Sequence, residues 1–531
     1  MRRAALLLCA ALWAMPAAAR EVVDATAPQG LAVTLYRDPN RGEGQAMNRD
    51  WPQGFAMISE TRQVTLPPGE STIRFEGVAE GMVSVTAIVT GLPGGTIEKN
   101  RNADLLSPGA LVDGTLGNRV TITRTNPATG REVSESAVVR TRADGGLVLQ
   151  TGAGFEAVRC SGLPEKLTFE HVPAGLSAQP VFTVDTRSPA GGTYTVTLTY
   201  LAWGFDWQAH YVATVDEGSR GDSMRLDLMS WLTLLNDNGQ SFPNAELMAV
   251  AGRLSVTSDY RNLADPPDAK PLALVCYPIG HTATGSPIDA FLPPPPPAPP
   301  AAPMMMLESG AITVTAQRLE RKAMDSAVAI TAVQEDLGDL KLYRVPERVT
   351  VSAKGLKQIA FLDKDAVRGK MIYQADCSWW ESYDVPRAAE MRFETVNDEK
   401  HGLGEALPTG AITFFEPSSH GDLFVGEQQL RDYALGQDVE VPLGDSAQVF
   451  GTCAQGGGDP DKGWAPLKAS FTNANPHAVT LRLKLGSPLY WHLRGLKATR
   501  VKDGVAIYDL TIPANGKREL AWDIRRANSA E

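Results

Sequence analysis

The run Thr193-Tyr-Thr-Val-Thr-Leu-Thr-Tyr200 is β-branched or aromatic at every position but one. Such side chains lose χ1 freedom in a helix and pack well on a pleated surface, so this segment reads as strand. It follows Pro189-Ala-Gly-Gly192, a turn that separates it from a strand beginning near Pro180. The same grammar recurs. Residues 61–87 alternate apolar and polar around Pro67-Pro68-Gly69. Val479, Leu481, Leu483 and Leu485 alternate with Thr480, Arg482 and Lys484, one face apolar and one charged. Asn236-Asp-Asn-Gly239 reads as a hairpin turn, because Asn-Gly readily takes positive φ. With 49 glycines and 37 prolines, the chain favours many short strands and turns over helices. The expected class is all-β: several β-sandwich domains, a small β-barrel and a long disordered Pro-rich insertion.

Residues 1–19 set the expected compartment. Two arginines precede an apolar run that ends in small residues at Ala17–Ala19. This is the pattern of a secretory signal peptide cleaved near Ala19, too short and wrongly flanked for a membrane anchor. Cys9 lies in the apolar stretch without the small residues that precede a lipidated cysteine. The expected location is therefore periplasmic or cell-envelope associated, with no transmembrane segment in the mature chain. The net charge of −11 becomes more negative once Arg2 and Arg3 are removed, which argues against nucleic acid as a partner. Four cysteines remain: Cys160, Cys276, Cys377 and Cys453. They permit two disulfides in three pairings, or four buried thiols. Cys377–Cys453 is the favoured pair because both fall in one C-terminal region.

Residues 293–303 contain eight prolines, which fix φ and remove backbone donors. The segment reads as polyproline II, able to span about 34 Å. Met304–Met306 follow, and then Ile312-Thr-Val-Thr-Ala-Gln-Arg318. That heptapeptide resembles the mature N-terminus of TonB-dependent outer-membrane receptors, near their energy-coupling segment. The Pro-rich stretch reads either as an exposed spacer or as a docking arm.

A wider resemblance is carried by residues 203–216 (WGFDWQAHYVATVD), 232–252 (LTLLNDNGQSFPNAELMAVAG), 337–362 (LGDLKLYRVPERVTVSAKGLKQIAFL), 407–417 (LPTGAITFFEP) and 423–446 (LFVGEQQLRDYALGQDVEVPLGDS). These resemble the mucoidy-inhibitor-A-like bacterial proteins, a family of unassigned function. Residues 61–87 resemble that family's N-terminal domain. The long coiled coil common in the family is missing, and the small barrel-like stretch stands in its place. The resemblance implies β-sandwich domains and supplies no activity. It also places the segment 265–335 as an insertion within a domain, with its ends close together and its middle poorly ordered. The expected organisation is a signal peptide (1–19), an N-terminal β domain (20–109), a small barrel-like module (110–165), a central β-sandwich carrying the insertion (166–365) and a C-terminal β-sandwich (366–531).

No GxSxG, HExxH, GxxxxGK or GxGxxG motif occurs, and the seven histidines lack metal-site spacing. Asp459-Pro-Asp461-Lys-Gly463 contains part of a calcium loop, but the twelfth loop position is Ser470, so it reads as an acidic turn. No catalytic residue, metal ligand or cofactor is assigned. The aromatic residues are the better candidates. Trp203, Trp207, Tyr211 and Trp231 read as core. Trp379, Trp380 and Tyr383, just past Cys377, are the candidate partner-binding residues. Adjacent strand residues face opposite ways, so one of Trp379 and Trp380 is expected to point outward. The predicted function is an exported, non-enzymatic cell-envelope protein that binds a protein or glycan partner. The alternatives are a secreted hydrolase with a loop-built site and a periplasmic partner of TonB-dependent transport.

Overall fold

The computed structural model describes residues 20–42, 44–102, 105–143, 147–158, 165–173, 175–216, 221, 223–252, 254–264, 332–419 and 421–527. Strand makes up 62% of the structure and helix 5%, so the fold is all-β as the turn grammar predicts. The signal segment, Cys160, Cys276, the proline run, Met304–Met306 and the Ile312–Arg318 heptapeptide lie outside the described residues. So does the expected disorder of the insertion's middle.

The chain divides into two compact units. The first holds residues 20–32, 57–203 and 259–264. One of its sheets has four strands in the order Glu21–Asp24, Gly69–Glu76, Val181–Ser188, Glu98–Asn102. Phe75 and Phe182 sit opposite each other in this sheet and pack with ring centroids 6.3 Å apart. A second sheet is an antiparallel series in the order Gly154–Ala157, Val148–Thr151, Glu132–Val139, Arg119–Thr125, Glu165–Thr168. Val120, Ile122, Ala137, Val139 and Leu149 form its apolar face, and Val112 of the helix Pro108–Gly114 joins their cluster. That helix starts where it should. Ser107 accepts a hydrogen bond from the Ala110 N–H, and Pro108 occupies the first turn, where a missing donor costs nothing.

The second unit holds residues 33–56, 204–258 and 332–527. Here the strand Met224–Asn236 is paired on both edges, with residues 205–215 of Gly192–Val215 and with Gly355–Asp376. Trp207 and Tyr211 are buried in the core, as expected, and Tyr211 meets the Phe361 ring edge-on at 6.0 Å. The turn at Asn236–Gly239 forms, closed by the Asn236 side chain accepting from the Asn238 N–H. It is not a hairpin turn, however. Both edges of Met224–Asn236 are already occupied, so the next strand, Phe242–Ala251, pairs with Leu340–Arg344 instead. Ala251 faces Lys341 in that ladder. Residues 248–251 and 341–344 are thus direct neighbours in one ladder. Part of the assigned insertion is itself strand, because Val333–Leu337 folds back on Leu340–Arg344.

Short strands were expected, yet the longest run 24, 22 and 18 residues. The reason is that one long strand serves two ladders in succession. Gly355–Asp376 pairs with Met224–Asn236 up to Gly369, then with Tyr383–Val396 from Lys370 onward. Bulges at the register shifts bend such a strand without ending it.

The C-terminal ladders join Tyr383–Val396 to Asp438–Gln455, Asp438–Gln455 to Ala465–Asn473, and Ala465–Asn473 to Gly516–Arg526. Gly355–Asp376 also runs parallel to Val479–Gly486, which pairs with Val505–Ile512. Leu481, Leu483, Leu485, Phe471, Trp522 and Ile524 make up much of the shared core. Cys377 and Cys453 lie fully buried in it and are joined by the expected disulfide. That bond closes a loop of 76 residues. By the chain-entropy argument it contributes about 4 kcal/mol. Reduction should lower the unfolding free energy from urea titration by that amount and shift the midpoint down accordingly, followed by near-ultraviolet circular dichroism; an unchanged midpoint would contradict it.

Candidate functional site

Two features of the second unit carry chemistry, and they start from the same strands. The first is the segment just past Cys377. The structure does not place Trp379 and Trp380 on a strand. Ser378 is still extended, and Trp379–Glu381 then forms a 3₁₀ turn. In a 3₁₀ turn neighbouring side chains diverge by a third of a revolution, so the expected division survives by a different route. Trp379 is 9% exposed and packs in the core, and its carbonyl accepts from Gln455 Nε2 at 2.7 Å. Trp380 is 69% exposed.

Trp380 is not alone at the surface. Its ring lies 5.9 Å from that of Trp491, which is buried. The residues just before Trp491 are Leu489 and Tyr490, 79% and 62% exposed. Gly486 lets this turn approach: a Cβ there would lie 3.0 Å from the Trp491 ring, and its φ is +103°. Tyr383 is half-buried, opposite Cys453 in the ladder, with the Arg387 guanidinium 4.5 Å over its ring. Burial raises its phenol above the ordinary tyrosine range. The structure therefore gathers Trp380 with Leu489 and Tyr490. Trp379 serves the core and Tyr383 a cation–π pair.

The second feature is a cleft of about 550 Å³ on the charged face of the same strands. The alternation in Val479–Leu485 marks Arg482 as facing away from the apolar core. In the structure that face is covered too, and Arg482 is only 3% exposed. Its surroundings follow from register. Glu394 stands directly opposite Glu440 on one side and Lys370 on the other, and Arg482 stands opposite Asp509. Two carboxylates facing each other repel. Arg482 relieves this with a forked contact to Glu394, one arm at 3.1 Å, and reaches Glu440 at 3.3 Å and Asp509 at 3.2 Å. Lys502 adds contacts to Glu440 and, at 3.2 Å, to Asp438.

The cleft's outer wall is the turn Glu399–His401. Asp398 caps it, accepting from the His401 backbone N–H at 2.8 Å and lying 2.7 Å from His401 Nδ1. The hydrogen bond from His401 holds the Asp398 carboxyl below its usual range. Such a pair could activate a nucleophile, but the lining offers no serine or cysteine. Its one hydroxyl, on Thr395, donates to the Arg368 carbonyl at 2.6 Å. His420 lies outside the described residues. Among the described residues, no group of three or more His, Cys, Asp or Glu is placed to hold a metal ion. Asp459 caps its own turn, accepting from the Asp461 N–H and pairing with Lys462.

Burial alone would raise the Glu394 carboxyl, but the hydrogen bonds and charge of Arg482, with Lys370, outweigh it and pull it down to about 2. A carboxylate held below its unfolded value stabilises the fold above that unfolded value, about 4.5. The contribution is lost as pH falls from there toward about 2. Urea unfolding from pH 6 to pH 2.5 should therefore show a steep stability loss below pH 4.5 in the native protein. Glu394→Gln should make that segment of the curve shallower; an unchanged slope would contradict this account.

Compared with protein-family models and with curated proteins, the chain matches none of either.

Proposed function

We propose that this chain is an exported, non-enzymatic cell-envelope protein that binds a protein or glycan partner through the Trp380–Leu489–Tyr490 surface. The observation that carries the proposal is the exposure of three large apolar side chains, Trp380 against the Trp491 ring and Leu489 and Tyr490 just before Trp491 in the chain, on a disulfide-braced scaffold. An indole left in water next to a buried one costs free energy that a partner's surface would recover. Aromatic residues in such positions dominate binding energy when covered. A flat indole also suits the apolar face of a sugar ring.

Three further features support the reading. A disulfide persists in oxidising compartments, which accords with export. Cleavage near Ala19 would leave Arg20 and its ion pairs to Glu70 and Asp185 intact. Among the described residues, the one hydroxyl lining the cleft with His401, on Thr395, is committed to the Arg368 carbonyl, which favours binding over hydrolysis. The resemblance to mucoidy-inhibitor-A-like proteins, with the β-sandwich domains it implies, fits an envelope protein of this kind.

The test uses the mature chain, immobilised and challenged with envelope extract and with purified envelope glycan. Trp380→Ala combined with Tyr490→Ala should abolish capture while shifting stability by no more than about 1 kcal/mol, since both side chains lie at the surface. Capture that survives the double substitution would overturn the assignment of the surface. Intact residues 1–19 on protein recovered from the cytosol would overturn export.

A further inference from the structure

The cleft beside Arg482 is richer in cations than its fold requires. Its lining carries Arg368, Lys370, Lys400, Arg482, Arg500 and Lys502, in a chain whose net charge is −11. Four carboxylates answer them: Glu394, Asp438 and Glu440 in the lining, and Asp509 behind it. Every one of the four is already engaged. Glu394 takes Arg482 and Lys370, Glu440 takes Arg482 and Lys502, Asp438 takes Lys502, and Asp509 takes Arg482 and Arg500. The lining itself holds six cations against three carboxylates, and two of the six are left without an ion pair.

Those two can be named. Among the described residues, Arg368 and Lys400 make no ion pair, and both are exposed. They come from different elements that the backbone brings together. Gly402, one turn past Lys400, packs so closely that a Cβ there would lie 3.3 Å from the Ala366 carbonyl and the Val367 Cα. Ala366 itself has φ +55°, in the left-handed region that costs an L-residue about 1 kcal/mol or more. It sits in a bulge opposite Asp227, whose carboxylate accepts from the Ala366 N–H at 3.0 Å. Bulges of this kind re-aim the side chains that follow, and Arg368 is the second residue along. His401 lines the same wall with its Nδ1 committed to Asp398, which leaves Nε2 as its remaining ring nitrogen.

We propose that this cleft is a binding site for a phosphate group, clamped between Arg368 and Lys400 with His401 on the rim. The charge decides the class. A phosphate monoester carries about −1.5 to −2 at neutral pH, enough to balance two unmatched cations. A single carboxylate would leave one of them unanswered. Arginine supplies the planar fork that takes two phosphate oxygens, and lysine the compact second charge. The acidic side chains of the lining are each paired with a cation of their own, which reduces their repulsion of an incoming anion. The site is separate from the aromatic surface and does not depend on it.

The test is isothermal titration of the full mature protein with three phosphate sources: inorganic phosphate, glucose 6-phosphate, and vesicles containing phosphatidic acid in phosphatidylcholine. Acetate and glutarate serve as carboxylate probes. At least one phosphate source should bind, and the one that binds tightest identifies the source. Arg368→Gln with Lys400→Gln should weaken that binding at least tenfold. Neither residue belongs to the buried network, so the circular dichroism spectrum and unfolding midpoint should not move. Lys357→Gln, on the same strand as Arg368 but away from the cleft lining, should bind like the native protein. The proposal is overturned if no phosphate source binds, if the double variant binds as tightly as the native protein, or if glutarate binds as well as the phosphates.

Discussion

Arg482 is the charge on which the C-terminal architecture turns. Glu394, buried, and Glu440, half-buried, face each other across a ladder, and two facing carboxylates repel unless a cation stands between them. Arg482 supplies it from a strand that is adjacent through Gly355–Asp376, and fixes which strands lie beside which. The guanidinium fork spans two carboxylates and still reaches Asp509, a task that lysine's single ammonium could not perform. Removing one member of such a set costs about 3–5 kcal/mol, because the others remain buried and unmatched.

The same strands carry a dry face and a charged face, and the two proposed sites are consequences of that division. On the dry side, the disulfide and the core around Leu481, Phe471 and Trp522 hold the chain rigid up to Ser378, where it turns and Trp380 emerges. On the charged side, ion pairs engage each carboxylate of the cleft lining and leave Arg368 and Lys400 over. A binding surface gains from such rigidity, since less side-chain freedom is lost when a partner arrives.

Much of the fold was legible in local pattern. The turns at Pro67–Gly69 and Pro189–Gly192 both separate strands. The helix at Pro108 was missed although its signal is local: a serine cap followed at once by proline. Pairing was harder to read. Nothing near Asn236–Gly239 announces that the preceding strand has both edges taken, so an apparent hairpin became a connection between ladders. The tryptophan pair divided between inside and outside as expected, but through a 3₁₀ turn that starts right after the extended Ser378.

The charged cleft was the least legible part, for a physical reason. Alternation assigns Arg482 to a face but says nothing of what covers that face. Its partners lie 27, 42 and 88 residues away in sequence. No short motif spans such distances; only register brings them together. The most direct test of the central claim is native-state hydrogen exchange on the Arg482→Met protein. Amides in Tyr383–Val396, Asp438–Gln455 and Val479–Gly486 should lose protection together, while those of Arg119–Thr125 and Glu132–Val139 stay as they are. Unchanged protection across the three C-terminal strands would contradict the account.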